Sequence, residues 1–193
     1  MKSVALIIAK KNSNRLPDKN FRNFCGQPTF VWNVDKCLKL FDKVYVSSDY
    51  DFILKESKKL GAIPIQRPAE LCQSNVPNIP VYQHALPFMD NPDVIVAVKA
   101  DSPTTAPEII QRIKELMEKY DYSEIMTAYP VRGYEARNCL YGSVWALKRD
   151  RLENYPDAWK PEPEVLIVDQ AIDIHTEEDF KKAEQEMFNY GKQ

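Results

Sequence analysis

Four cations, Lys10, Lys11, Arg15 and Lys19, crowd the stretch that follows the first apolar run of the chain, with Asn12, Ser13, Asn14 and Asn20 among them. The run itself, Val4-Ala5-Leu6-Ile7-Ile8-Ala9, reads as a strand buried on both faces. The loop leaving such a strand is where an α/β protein places a phosphate group. Arg15 offers a planar fork for phosphate oxygens and Lys19 a mobile point charge. Asn12 and Asn14 can take the left-handed conformation that glycine usually supplies. The loop matches neither G-x-G-x-x-G nor G-x-x-x-x-G-K-[ST], so the dinucleotide and P-loop readings fail. Charge alone would also fit a solvated basic loop; its place after the strand favours a ligand.

The elements that must position this loop alternate along the chain. Helical spacing spans Pro28 to Leu40, with Phe30, Val31, Val34 and Leu38 on one face. Val44–Ser48 reads as a strand, Asp51–Leu60 as a helix stopped by Gly61, and Ala62–Gln66 as a short strand. Pro80–Leu86 reads as a helix capped by Asn78. Val94–Val98 is a second buried strand, followed by a helix opened by Pro107 with Ile109, Ile110, Ile113, Leu116, Met117 and Tyr120 as its core stripe. Ile125–Tyr129, Ser143–Leu147 and Val165–Val168 are further strands. Thr176-Glu177-Glu178-Asp179 resembles a capping box opening a last helix that ends near Gly191. His84 sits among apolar helix neighbours and reads as structural. Strands alternating with helices predict one α/β domain over residues 1–193, a three-layer α/β/α Rossmann-like fold with a mostly parallel central sheet. Ligands then bind beyond the carboxyl ends of the strands.

Bulk properties narrow the class. In 193 residues, 26 Lys and Arg meet 28 Asp and Glu, for a net charge of −2, which leaves no electrostatic footprint for nucleic acid. Cys25, Cys37, Cys72 and Cys139 form no C-x-x-C pair, so no zinc or redox framework is written, and they read as reduced thiols of a cytoplasmic protein. No apolar run approaches membrane length, so no membrane contact is expected. With only 5 glycines against 14 prolines, turns needing positive φ must often use other residues.

Specific motifs then add a resemblance. Residues Ala9 to Asn20 are similar to the signature loop of the CMP-sugar synthetases, the acylneuraminate and 3-deoxy-manno-octulosonate cytidylyltransferases. In the same order, Cys25-Gly26-Gln27-Pro28 resembles that family's G-K-P, Val46-Ser47-Ser48-Asp49 its V-S-T-D, and Arg67-Pro68-Ala69-Glu70-Leu71 its R-P-A-E-L. Ile172-Asp173-Ile174-His175-Thr176-Glu177-Glu178-Asp179-Phe180 resembles I-D-I-D-T-x-x-D-L.

The resemblance implies a nucleotidyltransferase that moves CMP from CTP to a sugar acid of the sialic or octulosonic kind and releases pyrophosphate. Arg15, Lys19 and Asp101 would be the catalytic residues, with Lys10, Asn12, Ser13, Asn20, Arg67 and Lys99 around the nucleotide. Asp101 and Asp173 would hold Mg2+ or another divalent cation, an ion that takes oxygen ligands and few carboxylates. Ser102, Thr105, Tyr129, Arg132, Arg137 and His175 would meet the acceptor. Bland alternatives stay open: Asp101 as a turn cap, Asp173 as a strand-end ion pair, Arg67 as a surface arginine, Ser13 as a turn former.

Departures from the family pattern also carry information. Lys10 stands for an arginine, Lys99 for a glutamine, and His175 for a metal-ligand aspartate. His175 is a poor magnesium ligand and could serve as a base for the attacking hydroxyl or be an ordinary strand-end histidine. Lys99 could grip an anionic substrate or partly substitute for a metal charge. The long arm that family members insert before the strand at Ser143 is missing, which implies a monomer or a homodimer through another surface. Tyr129, Tyr134, Tyr141 and Trp145 would line the remaining pocket or belong to the core. A relative with a different base or smaller acceptor, and a degenerate binder without turnover, are the competing readings.

Overall fold

The computed structural model describes residues 1–129 and 141–190. Strand β1 (Ser3–Ile8) is followed by a two-residue hairpin of β2 (Asn23–Phe24) and β3 (Gln27–Pro28), helix α1 (Thr29–Leu40), β4 (Val44–Ser48), α2 (Asp51–Leu60) and β5 (Ile63–Gln66). A 3-10 turn at Ala69–Cys72 precedes α3 (Asn78–Ala85) and a second such turn at Leu86–Phe88. Then come β6 (Val94–Lys99), α4 (Pro107–Lys119), β7 (Glu124–Ala128), β8 (Tyr141–Lys148), α5 (Arg149–Glu153), β9 (Val165–Val168) and α6 (Glu177–Tyr190).

Seven strands form one sheet in the order β5-β4-β1-β6-β8-β7-β9. Every pairing is parallel except those of β8, which runs antiparallel to β6 and β7. The parallel strands therefore end on one edge, and β8 begins there.

Both faces of the central strands are covered, which is why β1 and β6 read as unbroken apolar runs. Ala5, Ile7, Val96 and Val98 pack under α1, α2 and α4, against Phe30, Ile53 and Ile113. Val4, Leu6 and Ile95 face the other way, onto Ile79, Tyr82 and Leu152 of α3 and α5. This is the expected three-layer fold. A smaller cluster of Leu16, Phe24, Ile174, Phe180 and Ala183 seats α6 against the loop after β1. Gly61 ends α2 at φ 97°, where a side chain would be strained.

Local expectations differ in places. Helix α3 begins at Asn78 and not at Pro80, with Pro77 as the residue before it. Asn78 is thus helical and does not cap. The hairpin and α5 were not legible in the apolar pattern. Positive φ in the loop after β1 falls on Asp18 (60°), and not on Asn12 or Asn14.

Candidate active site

A cleft of about 510 Å3 opens at the carboxyl edge of the sheet. It is walled by the loop after β1, Arg67 and the chain that follows β5, the start of α3, the end of β6, and the segment Asp173–His175. The loop is held on several sides. Asp18 accepts hydrogen bonds at its carbonyl from the Phe21 and Arg22 amides, both at 2.9 Å. Asn20, itself buried, donates to the Lys10 carbonyl at 2.8 Å, and the Lys11 amide donates to Asp49 Oδ1 at 2.8 Å. Lys10 Nζ reaches across to the Cys72 carbonyl at 3.2 Å. So anchored, the loop presents Ser13, Asn14, Arg15 and Lys19 to the cleft, while Asn12 is exposed and outside its lining. Arg15 is exposed and makes no ion pair among the described residues.

Paired charges form the floor. Lys19 is 6 % exposed; its ammonium lies 2.5 Å from Asp101 Oδ2 and donates to the Ile174 carbonyl at 2.8 Å. Lys99 Nζ lies 3.1 Å from Asp173 Oδ2 and donates to the Tyr141 carbonyl at 3.2 Å, with the Tyr129 ring 5.4 Å away. Burial alone would push the Asp101 carboxyl up, but the ammonium groups of Lys19 and Lys99 outweigh it and hold the group below its ordinary value. Burial also pushes the His175 imidazole below its ordinary value, against the opposing pull of Asp173, so a nitrogen lone pair is available at neutral pH. Asp101, Asp173 and His175 bring one donor atom each within 4.8 Å of one another. His175 Nε2 is 3.2 Å from Asp173 Oδ1, yet that oxygen is buried and has no hydrogen-bond partner among the described residues.

Two supports place these carboxylates. On one side Asn33, buried in α1, donates from its amide to the Lys99 and Ser102 carbonyls, both at 2.8 Å. Lys36 Nζ donates to the Pro103 carbonyl at 2.5 Å and to Asn33 Oδ1 at 3.1 Å; burial pulls this ammonium down to about 8. On the other side the Asp101 carbonyl accepts from the Ile174 amide at 3.0 Å. Asp179 takes the His175 and Thr176 amides at 3.0 and 2.8 Å, while its own amide donates to Thr176 Oγ1 at 3.1 Å. The expected capping box is therefore present and pins His175 at the start of α6.

Arg67 is 3 % exposed, so it is no surface arginine. Its Nε donates to Ser47 Oγ at 3.1 Å and its Nη2 to the Ser47 carbonyl at 2.5 Å. Burial lowers its proton affinity, with Cys72 and Asp49 opposing. No ion pair to it occurs among the described residues, although the guanidinium lines the cleft.

A second cavity of about 300 Å3 adjoins the first and shares Arg15, Asn78, Lys99, Asp173 and His175 with it. Tyr82, Met126, Tyr141 and Trp145 supply its apolar wall. Gly142 is required there: a Cβ would stand 2.2 Å from Thr127 Oγ1 and 3.0 Å from Asp169 Oδ2. Asp169, buried after β9, accepts from the Ser143 and Ala171 amides, each at 2.8 Å.

Ser102 and Thr105, expected at the acceptor, lie outside both cavities. Both are buried in the turn before α4, where Thr105 Oγ1 donates to the Ser102 carbonyl at 2.7 Å and Ser102 Oγ meets the Tyr129 hydroxyl at 3.1 Å. Short hydroxyl residues beside a proline close turns as readily as they bind ligands. Tyr129 is half-buried by the same contact and also lines neither cavity. Arg132, Arg137 and Tyr134 lie outside the described residues. Sequence reading missed Gln73, Ser74 and Asn78 on the cleft wall, and the Asn33–Lys36 support. Asn33 carried a signal, being a polar residue on the apolar stripe of α1.

The family model described as Cytidylyltransferase matches residues 4–139. N-acylneuraminate cytidylyltransferase of Oncorhynchus mykiss is 23% identical over 218 residues, covering 97% of this chain and 50% of its own length. Pseudaminic acid cytidylyltransferase of Campylobacter jejuni is 26% identical over 143 residues, covering 68% of this chain and 62% of its own. This chain thus spans about half the length of the curated relatives it matches. Among solved structures, CMP:2-keto-3-deoxy-manno-octonic acid synthetase complexed with CTP superposes with a TM-score of 0.77 at 13% identity, over 98% of this chain and 100% of the other, a likeness of fold.

Proposed function

Because the chain belongs to the cytidylyltransferase family, we propose that its cleft transfers CMP from CTP to a sugar acid. One observation carries this reading: the cationic loop after β1 faces Asp101 and Asp173 across a single cleft at the carboxyl edge of the sheet. In the transfer, an acceptor hydroxyl oxygen bonds to the α-phosphorus in line while the bond to the β-phosphate oxygen breaks. Pyrophosphate leaves with the electron pair, and the hydroxyl proton passes to solvent or a nearby base. Most of the catalysis is then positioning and charge neutralisation.

The residues divide by position. Arg15 lines both cavities with no ion pair among the described residues, suited to the triphosphate. Lys19 and Lys10 add charge on either side of it, and Ser13 and Asn20 shape the loop. Arg67 holds its guanidinium fixed through Ser47, ready for the nucleoside end. Lys99 stands between the two cavities, where a carboxylate acceptor in the smaller one would reach it. Asp101, Asp173 and His175 fit a divalent cation, since Asp173 Oδ1 is a buried oxygen with no hydrogen-bond partner among the described residues; such a cation would neutralise charge on the phosphates.

The test is pyrophosphate release from CTP, UTP, GTP, ATP and dTTP, each with a panel of sugar acids. CTP-dependent release supports the reading. Release with another nucleotide alone would move the activity elsewhere within the fold, and binding of CTP without release under any divalent ion would make the chain a nucleotide binder.

A further inference from the structure

We infer that the centre of Asp101, Asp173 and His175 takes one divalent cation per chain, of the first-row transition-metal class and in preference to Mg2+, with His175 Nε2 as a ligand. The inference rests on the nucleotidyl-transfer reading of the cleft. Three observations carry it.

The first is the donor set. Magnesium takes oxygen, keeps much of its water and dehydrates reluctantly. An imidazole among two carboxylates suits ions such as Mn2+, Co2+ or Zn2+ better. Among the described residues the ring's one ion-pair contact is with Asp173 Oδ1: the capping box holds the His175 amide and leaves the side chain lining both cavities.

The second is spacing. His175 Nε2 and Asp173 Oδ1 stand 3.2 Å apart without a hydrogen bond between them. Adjacent ligands at right angles on an ion with bonds of about 2.1 Å stand about 3 Å apart. The two atoms are thus already spaced like one edge of a coordination shell.

The third is occupancy by lysine. Lys19 engages Oδ2 of Asp101 and Lys99 engages Oδ2 of Asp173. Asp173 thereby keeps Oδ1, which has no hydrogen-bond partner among the described residues, for an ion, and the ammonium already beside each carboxylate leaves less negative charge for a second cation. The Lys99 charge also repels a second ion.

Mn2+ is the probe. Titration followed by the electron paramagnetic resonance of free Mn2+, with and without CTP, should give one ion per chain. The spin-echo spectrum of the bound ion, recorded without nucleotide, should show coupling to a directly bonded 14N, lost in His175→Asp. Competition with Mg2+ should show the preference for Mn2+ falling about tenfold or more in that variant. His175→Ala, matched to wild type by thermal melting, should lose the coupling and bind more weakly. A wild-type spectrum without 14N coupling, two ions per chain, or an unchanged preference in His175→Asp would overturn the inference. Pyrophosphate release with those same negative results would leave the transfer reading standing alone. Nitrogen-coupled Mn2+ without release from any nucleotide would leave the metal assignment and remove the reaction.

Discussion

Lys19 Nζ lies 2.5 Å from Asp101 Oδ2, and this contact ties the loop after β1 to the end of β6. Removing the ammonium in Lys19→Met leaves a largely buried carboxylate without its nearest cation, so a loss of about 3 kcal/mol is expected in urea unfolding at neutral pH. The sign with pH follows from the depressed Asp101 value. Its contribution is present above the ordinary aspartate value of about 3.9 and fades as pH falls through the lower folded value. In Lys19→Met the acid limb of the stability curve should shift to higher pH. Coincident acid limbs would show that the pair does not set this carboxyl.

Arg15 offers the opposite case. It is exposed and without an ion pair among the described residues, so Arg15→Ala should leave the melting temperature nearly unchanged. A lost charged contact to triphosphate is worth about 1.5–3 kcal/mol, so CTP affinity should fall roughly 10- to 100-fold. Isothermal titration with CTP checks it; unchanged affinity would remove Arg15 from the phosphate site.

Lys36 makes stability depend on alkaline pH. Its ammonium is pulled to about 8 from 10.5, so the folded state binds fewer protons than the unfolded state between those values. Stability must rise with pH across that window, by up to about 3 kcal/mol. Wild type should therefore gain on Lys36→Met between pH 8 and pH 10 in denaturant melts. A constant difference would mean that Lys36 stays charged in the fold.

Gly142→Ala tests the wall of the smaller cavity. The added methyl collides with Thr127 Oγ1, and overpacking of this kind costs about 1–3 kcal/mol. Lower thermal stability is expected, together with a raised KM for the acceptor. Unchanged stability would mean that β7 and β8 shift apart freely.

Much of this architecture was legible in the chain. Val4–Ala9 and Val94–Val98 announce strands covered on both faces, Gly61 marks the end of α2, and Thr176 with Asp179 marks the start of α6. These signals are local, and their physics is complete within a few residues. The paired residues of the β2–β3 hairpin are too few to show alternation, and the reversed direction of β8 depends on which strands neighbour it. Lys10 to Lys19 stood out as a ligand loop by charge and position. What it could not display was that Lys19 would turn inward onto Asp101, or that Asp18 would carry the positive φ. Ser102 and Thr105 were expected at the acceptor through the family resemblance, and their burial in the turn before α4 is a property that only the folded chain displays. Asn33 and Lys36 act on carbonyls more than sixty residues away, a relationship that only the folded chain brings together.

Because β8 runs against its neighbours, Ala128 and Tyr141 are paired across the ladder at the edge where the cleft opens. The stretch joining them leaves and rejoins the sheet at almost one point. Closing a longer excursion between fixed ends costs only about 0.6 kcal/mol for each doubling of its length. The Ala128–Tyr141 pair is therefore a natural splice point: segments of different length can be joined between these two residues while the seven-strand frame keeps its register.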